Sequence, residues 1–202
     1  MDSMPQVRGI IFDMDGTLVD SRLDFDAMRH EMGLPTGVPI LEGLASIPDG
    51  PVRHRMLEVL RTHELRGADE SVLFEGVLEF LSHVNKLGIS TAVLTRNSRE
   101  TTERTLNRWG LRFSQIVTRE DAPPKPDPAG VRLIADRWGL PVHQIIVIGD
   151  YLFDLQAGRR AGMRSVLFAP NDTPTFASEA DFILRDFREA VKLLEQLATG
   201  DE

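Results

Sequence analysis

The chain has 202 residues, of which 42% are hydrophobic and 27% are charged, so it is long enough for one globular domain or one domain with a small insert. Its formal net charge of -8 and its lack of cysteine argue against nonspecific nucleic-acid binding and exclude disulfides and thiolate metal sites. No apolar run approaches the roughly 20 residues that span a bilayer, and residues 1–8 contain no apolar leader core, so we expect a cytoplasmic protein without membrane contact.

Apolar runs alternate with helical patterns along most of the chain. We predict strands at residues 7–12, 89–94, 115–118, 145–148, 165–168 and 182–184. We predict helices at residues 76–87, 98–109, 128–138, 153–161 and 187–197. Four of these helices precede a glycine in the position where a left-handed residue ends a helix, namely Gly88, Gly110, Gly139 and Gly162. The alternation predicts an α/β fold with a Rossmann-like parallel sheet and helices on both faces.

The alternation of strands and helices is interrupted once, between residues 21 and 73. Only helical patterns occur there, at residues 23–32 and 52–65, and a loop rich in proline and glycine joins them at residues 33–40. We interpret residues 21–73 as a small helical cap inserted after the first strand. Residues 1–20 and 74–202 then form the α/β catalytic core.

The first predicted strand ends in two aspartates, Asp13 and Asp15, which are followed by glycine and threonine. Open α/β sheets bind their ligands just outside the carboxyl ends of the strands, so this position suggests a site. Two carboxylates so close together repel each other unless a cation or a shared proton relieves them. For an isolated pair of this kind, an acidic turn that caps a helix is an equally good interpretation.

Two later strand ends carry residues suited to binding an anion. Thr95, Arg96 and Asn97 lie where the strand at residues 89–94 gives way to a helix, so the hydroxyl and the backbone N–H groups could cradle a phosphate. The alternative is that Thr95 or Asn97 only caps the helix. Lys125 is presented by a loop with prolines on both sides, which restrict the backbone. A solvated surface lysine is the alternative there.

The strand at residues 145–148 leads into a second pair of acids, Asp150 and Asp154, four residues apart. Carboxylates in this position suit a hard cation with oxygen ligands, and Mg²⁺ is typically bound by few protein groups. Acidic residues also favour the start of a helix, which is the alternative interpretation. An acidic chain that processes an anion must supply local positive charge, which a metal or a basic residue could provide.

Four segments resemble, in order, the motifs of the haloacid dehalogenase superfamily of phosphohydrolases. They are DMDGTLVDS at residues 13–21, the strand end at Thr95, KPDP at residues 125–128, and residues 149–162, which follow the pattern GDxxxDxxAGxxAG. The resemblance covers the predicted core and is much weaker over the cap.

The resemblance implies a role for each of these residues. Asp13 would attack phosphorus to form an aspartyl-phosphate, and Asp15 would act as the general acid and then the general base. The implied cofactor is Mg²⁺, held by the Asp13 carboxylate, the Asp15 backbone carbonyl and Asp150. Asp154 would orient Lys125 or a metal-bound water. The residues implied to bind the phosphoryl group are Thr95, Arg96, Asn97 and Lys125.

The motifs and the cap position also narrow the expected reaction. Asp15 argues for phosphate esters, because dehalogenase members lack this second aspartate. The cap position resembles that of phosphoglycolate phosphatases and β-phosphoglucomutases. We therefore expect hydrolysis of a small phosphomonoester metabolite, either phosphoglycolate-like or a sugar phosphate, by a monomer or homodimer. A phosphomutase is the main alternative, although the short cap favours hydrolysis, and a non-catalytic binding module is a further one.

Six basic residues in the cap could attract an anionic substrate, or could lie on a solvated helix face. They are Arg53, His54, Arg55, Arg61, His63 and Arg66. The loop at residues 34–44 is another candidate for contact with the leaving group. If the cap moves, we expect hinges near residues 20–23 and 72–75.

Overall fold

The computed structural model describes residues 7–199. The expectation that the N-terminus has no apolar leader core therefore concerns residues that lie mostly outside the described part of the chain. The strands are β1 (Gly9–Phe12), β2 (Val19–Asp20), β3 (Val72–Leu73), β4 (Ser90–Leu94), β5 (Gln115–Val117), β6 (Ile145–Gly149), β7 (Arg164–Phe168) and β8 (Phe182–Leu184). The α-helices are α1 (Phe25–Met32), α2 (Ile40–Ala45), α3 (Pro51–Glu70), α4 (Val77–Lys86), α5 (Arg99–Arg108), α6 (Ala129–Trp138), α7 (Leu152–Ala161) and α8 (Ala190–Thr199). Over residues 7–199, no helix combines the length and the apolar character needed to cross a membrane.

Six of the described strands form one parallel sheet in the order β5-β4-β1-β6-β7-β8. The central strand β1 is buried along its whole length, as expected for an apolar run without polar alternation. In the register of the sheet, Phe12 lies between Val93 of β4 and Ile148 of β6. The predicted α/β, Rossmann-like fold class is confirmed.

Two apolar clusters cover the two faces of the sheet. On one face, Ile10 and Phe12 of β1 pack beneath α4, α5 and α8. On the other face, Ile11 packs beneath α6 and α7. Successive residues of a strand point to opposite faces, so one short apolar strand contributes to both clusters. The helices therefore hold the sheet from both sides, as the alternating pattern predicts.

A group of aromatic rings lies at the centre of the first cluster. The Phe187 ring centroid is 4.8 Å from that of Phe168, 5.7 Å from that of Phe80 and 6.3 Å from that of Phe12. Phe187 precedes α8, and its side chain is 1% exposed. It therefore anchors the last helix to the central strand of the sheet.

The predicted helix at residues 187–197 differs slightly from the structure. Its first turn is a 3-10 turn (Phe187–Glu189), and α8 continues to Thr199. The glycines expected to end four helices do adopt left-handed backbone conformations, with φ between 62° and 81°. Their positions are therefore confirmed.

Helices α1, α2 and α3 pack around an apolar cluster of their own, which we call the insert cluster. Its buried members are Met28, Met32, Ile40, Leu44, Met56 and Leu60. Strands β2 and β3 pair antiparallel where the chain leaves and rejoins the sheet domain. The sequence did not predict this two-stranded ribbon or α2, because two- and six-residue elements are too short to show a clear period. Helix α3 is also longer than the predicted segment at residues 52–65.

We predict that Phe187→Ala lowers the free energy of unfolding by about 3–5 kcal/mol, because it opens a cavity among packed rings. Urea denaturation followed by circular dichroism measures this change. The control is Leu87→Ala, since Leu87 is 59% exposed and surface truncations usually change stability by less than about 0.5 kcal/mol. Equal losses in the two variants would contradict the central role of the aromatic group.

Candidate active site

The carboxyl ends of β1, β4 and β6 meet at one edge of the sheet, where ligands of open α/β sheets bind. The Asp13 N–H donates to the Ile148 carbonyl at 2.8 Å, and the Thr95 N–H donates to the Val117 carbonyl at 3.0 Å. These bonds extend the pairing of the sheet to the residues that follow the strands. A cavity of about 390 Å³ opens over this edge, between the sheet and the insert helices. The core residues predicted as site residues all line it: Asp13, Asp15, Thr95, Arg96, Asn97, Lys125, Asp150 and Asp154.

Lys125 is the buried cation of the cavity, and its side chain is 3% exposed. Its ammonium group donates to Asp13 Oδ1, to Asp154 Oδ1 at 2.5 Å and to the Leu94 carbonyl at 2.8 Å. An ammonium has three donors, so these acceptors satisfy all of them. Burial alone would lower the pKa of Lys125, but the two carboxylates outweigh it and raise the pKa above its ordinary value. Lys125 is therefore a fixed positive charge.

Three carboxylates converge beside this lysine. Asp13, Asp150 and Asp154 each place an oxygen within 4.8 Å of the others. Burial raises the pKa of Asp13 to about 7, with Lys125 opposing the shift. Burial and the neighbouring Asp13 also raise the pKa of Asp150. Raised values of this kind arise when buried carboxylates outnumber nearby positive charges. The cluster is thus suited to a further cation.

Two glycines allow these carboxylates to approach the backbone closely. Gly16 has φ of 81°, and a Cβ atom there would lie 2.2 Å from Asp150 Oδ2. A Cβ atom at Gly149 would lie 2.2 Å from the Asp154 Cγ. Both distances are shorter than any side chain tolerates. Gly16, which follows Asp15, and Gly149, which ends β6 just before Asp150, are therefore both required by packing at the site.

Asp154 belongs to the cluster but already has partners for both of its oxygens. Oδ1 accepts from Lys125, and Oδ2 accepts from the Tyr151 N–H at 3.1 Å, which closes the first turn of α7. The Asp150 carboxylate is less well satisfied, since the Thr17 hydroxyl donates to its Oδ1 over a long distance of 3.4 Å. Of these two aspartates, Asp150 has the carboxylate more available to a metal, and Asp154 is positioned to orient Lys125.

Asp15 lies apart from the three-carboxylate cluster, and Asn97 donates its side-chain amide to Asp15 Oδ2. Burial raises the pKa of Asp15 to about 6, although hydrogen bonds from Ser21 and Asn97 lower it in part. A carboxyl group with a pKa in this range can both give and accept a proton near neutral pH. The sequence did not reveal this bond, because Asn97 is 82 residues away from Asp15.

Thr95 and the residues after it form a tight turn at the end of β4. The Thr95 hydroxyl accepts from the Asn97 N–H at 3.1 Å, and Thr95 is buried. The Ser98 side chain, rather than that of Thr95 or Asn97, accepts from the Thr101 N–H and caps α5. The capping interpretation therefore applies to Ser98, and Thr95 is free of that role.

Of the two interpretations of the basic cap residues, contact with the substrate is not supported by the cavity. None of the six basic residues named from the sequence lines the cavity in the described part of the chain: Arg53, His54, Arg55, Arg61, His63 and Arg66. Arg53 donates to the carbonyls of Leu44 and Ile47 at 2.6 and 3.0 Å, and His63 lies 3.1 Å from Glu31. Such partners come from tertiary packing and leave no local sequence signal. The insert instead contributes Arg22 and Arg29 to the cavity.

The loop at residues 34–44 does reach the cavity, through Gly37, Pro39, Ile40 and Leu41. Sequence reasoning missed Glu64 of α3, which also lines it. Glu64 is buried, and it accepts from Arg119 at 2.5 Å and from the Thr101 hydroxyl at 3.3 Å. Because Arg119 and Thr101 belong to the core and Glu64 to the insert, these bonds connect the two at the cavity wall.

Comparison with known proteins agrees with this geometry. A family model described as haloacid dehalogenase-like hydrolase matches residues 26–168. The pyrophosphatase PpaX of Bacillus velezensis is 32% identical over 178 residues, covering 79% of this chain and 82% of its own. A phosphoglycolate phosphatase of Pseudomonas syringae pv. tomato is 31% identical over 183 residues, covering 78% and 67%. The crystal structure of a hydrolase from Pseudomonas syringae is 25% identical, with a TM-score of 0.81 over 96% of this chain and 100% of its own.

We predict that Gly16→Ala removes divalent-cation binding as well as stability, because the new methyl group displaces Asp150. The control is Gly139→Ala, where φ is 62° and no atom lies within 4 Å of the position that the new methyl group would take. Both variants should lose about 1–2 kcal/mol of unfolding free energy to left-handed strain. We expect millimolar Mg²⁺ to raise the melting temperature of the unsubstituted protein, and only Gly139→Ala should keep this rise. An unchanged Mg²⁺ response in Gly16→Ala would contradict the role of this close approach.

Proposed function

The chain belongs to the haloacid dehalogenase-like hydrolase family, and on that premise we propose that it is a Mg²⁺-dependent phosphatase of a small phosphomonoester metabolite. The observation that carries the proposal is the convergence of Asp13, Asp15 and Lys125 in the wall of one cavity. A nucleophile, a proton donor and a fixed cation are the groups that stepwise phosphate-ester hydrolysis needs. The names of the phosphatase relatives support the same reaction class.

The side chains of the cluster fit Mg²⁺, which prefers hard oxygen ligands. In our proposal it is held by the Asp13 carboxylate, the Asp15 backbone carbonyl and Asp150. When bound, Mg²⁺ neutralises part of the carboxylate charge and stabilises charge on the phosphoryl oxygens. The buried carboxylates and their raised pKa values support this assignment, since Lys125 is their only buried ammonium partner among the described residues.

The reaction proceeds in two steps. A carboxylate oxygen of Asp13 forms a bond to phosphorus while the bond from phosphorus to the leaving-group oxygen breaks, and Asp15 donates a proton to that oxygen. Asp15 then removes a proton from a water molecule, which attacks phosphorus and releases inorganic phosphate from Asp13. Asn97 holds the Asp15 carboxyl group in place for both proton transfers.

The phosphoryl group binds to the Thr95 hydroxyl, the Arg96 N–H, Asn97 and the Lys125 ammonium. Charge spreads over the phosphoryl oxygens in the transition state, so donors fixed in advance stabilise it most effectively. Lys125 meets this requirement, because its three bonds hold it in one position. Asp154 acts through Lys125 by orienting it.

Residues 21–73 act as a cap that closes over the cavity, excludes bulk water and selects the leaving group. The separate insert cluster and the β2–β3 ribbon support a unit able to move against the sheet. The wall that it presents is mainly apolar, through residues such as Met28, Ile40 and Leu60. The cytoplasmic location stays a prediction from the sequence.

We predict that the purified protein releases phosphate from 4-nitrophenyl phosphate in the presence of Mg²⁺. Phosphate release should stop in excess EDTA, because the carboxylate cluster then repels the dianionic phosphate ester. Colorimetric assay of inorganic phosphate measures the rate, and added Mg²⁺ should restore it. Full activity in EDTA would contradict the metal assignment.

A panel of phosphate esters identifies the preferred substrate, and sugar-phosphate isomer exchange without phosphate release would indicate a phosphomutase instead.

We predict that Asp13→Asn lowers turnover by roughly a thousandfold or more, because the covalent nucleophile is lost. Folding should persist, since the change removes charge from a crowded carboxylate cluster. The matched control is Asp127→Asn, an exposed aspartate in the same loop as Lys125, whose side chain accepts from the Ala129 N–H. It should keep full activity, since the asparagine side-chain oxygen can accept the same hydrogen bond.

A crystal structure with beryllofluoride, a phosphoryl mimic, tests the same assignment independently. The mimic should be bound to a carboxylate oxygen of Asp13. Finding it on Asp15 would exchange the two proposed roles.

A further inference from the structure

The Arg96 side chain is fixed at the cavity wall beside the catalytic lysine. Its guanidinium carbon lies 4.9 Å from the centre of the Phe153 ring, and Nη1 donates to the Lys125 carbonyl. Stacking on an aromatic face and a backbone bond restrict both the plane and the direction of the guanidinium. The Arg96 backbone N–H has a proposed role in phosphoryl binding, but this side chain has none yet.

A carboxylate from the insert binds the same guanidinium through two of its nitrogens. Nη1 and Nη2 of Arg96 lie 3.0 and 2.6 Å from the two oxygens of Glu42 on α2. The Glu42 side chain is 44% exposed, and no other partner binds its carboxylate in the described part of the chain. Its neighbours Ile40 and Leu41 line the cavity, but Glu42 itself does not. The pair therefore joins core and insert at the edge of the cavity.

The other cations of the cavity are less suited to bind a leaving group. Lys125 is buried at the carboxylate cluster, and the proposed reaction assigns its charge to the phosphoryl group rather than to the leaving group. Arg29 is bound within the insert, to the Val38 carbonyl at 3.0 Å and to Asp26 at 2.8 Å. Arg22 is exposed, and its side chain has no contact that would fix its direction among the described residues. Arg96 is both fixed in direction and bound to an exchangeable anion.

We propose that the Arg96 side chain determines specificity by binding a second anionic group, on the leaving group of the substrate, and that Glu42 occupies this place between turnovers. The inference rests on the proposed phosphatase function and names the substrate class within it: phosphomonoesters whose leaving group bears a carboxylate or a second phosphoryl group. The planar fork of arginine binds either group through two parallel hydrogen bonds. The substrate anion replaces the two bonds that Glu42 gives up, so exchanging one anion for the other costs little.

The exchange also explains how charge stays balanced. Arg96 is paired with Glu42 before the substrate binds and with the substrate anion afterwards, so no unpaired guanidinium is left in the wall. The released Glu42 side chain returns to solvent, where a carboxylate is well hydrated. A substrate with a neutral leaving group leaves the Arg96–Glu42 pair intact and gains nothing from Arg96.

Matched substrates test the exchange. One series consists of phosphoryloxy carboxylates with two to four carbons, beginning with 2-phosphoglycolate, and the other consists of the n-alkyl phosphates of equal length. The wild-type protein should show about ten- to hundredfold higher kcat/KM for at least one carboxylate than for its alkyl partner, the size of a charge-assisted bond. The chain length with the largest ratio reports how far the second anion lies from the phosphoryl group.

Two substitutions should act in opposite directions on the carboxylate series. Glu42→Gln removes the competing anion, so KM should fall about two- to fivefold for the preferred carboxylate and stay unchanged for its alkyl partner. Arg96→Met should remove the carboxylate preference, and Arg96→Lys should restore it in part, because lysine keeps the charge without the fork. In the double variant, Glu42→Gln should have no further effect on the preference.

Other results would overturn the inference while leaving the phosphatase function standing. A wild-type protein that hydrolyses both series equally, and that shows no higher kcat/KM per phosphoryl group for a terminal alkane bisphosphate, has no subsite for a second anion. If Glu42→Gln and Arg96→Met change KM in the same direction for both series, the pair is only a structural link between core and insert. Absence of hydrolysis of every phosphomonoester in Mg²⁺ would instead contradict the phosphatase function itself.

Discussion

The geometry of the site depends on the hydrogen bonds and ion pairs made by the buried ammonium of Lys125. It joins Asp13 at the end of β1, the Leu94 carbonyl at the end of β4 and Asp154 in the first turn of α7, which follows β6. A buried ion pair is weak evidence for stability, because the cost of desolvation offsets much of the attraction. The ion pairs of Lys125 instead fix the relative positions of the groups in the site. Three carboxyl ends of the sheet must stay together, because separating any of them would leave a buried charge or a buried carbonyl without its partner.

The order of the sheet determines which groups can meet this lysine. Because β1 lies between β4 and β6, the residue that follows it has a neighbouring strand end on each side. Asp13 is therefore central, with Thr95 on one side and Asp150 on the other. Short apolar strands without functional groups thus position side chains that are more than 130 residues apart in the chain.

Much of the fold could be predicted because its signals are local. Buried strands read as apolar runs, and glycines such as Gly139 mark helix ends through a conformation that other residues rarely adopt. Part of the core site could be predicted for the same reason, since Asp13, Thr95 and Asp150 follow directly after strands. The family match and the described cavity agree with that expectation, while the assignment of individual roles stays a proposal.

The insert was predicted less well, because its functional contacts join distant residues. Arginines within it look alike in sequence, yet Arg53 binds backbone carbonyls while Arg29 reaches the cavity wall. The bonds from Asn97 to Asp15 and from Arg96 to Glu42 span 82 and 54 residues. No periodicity or spacing encodes such pairs, since the first depends on how two strand ends meet in the core and the second on how the insert packs against the sheet.

The β2–β3 ribbon has a consequence for how proteins with this architecture can diverge. Because Val19 pairs with Leu73 and Asp20 with Val72, the two ends of the insert are neighbours in space, whatever lies between them. The entropy of closing a loop rises only slowly with its length, and the sheet register does not depend on it. Helices can therefore be lengthened, shortened or exchanged beyond this ribbon without disturbing the residues that we propose act on phosphorus. In our proposal, the sheet keeps the reacting groups constant, while the insert that selects the substrate can change.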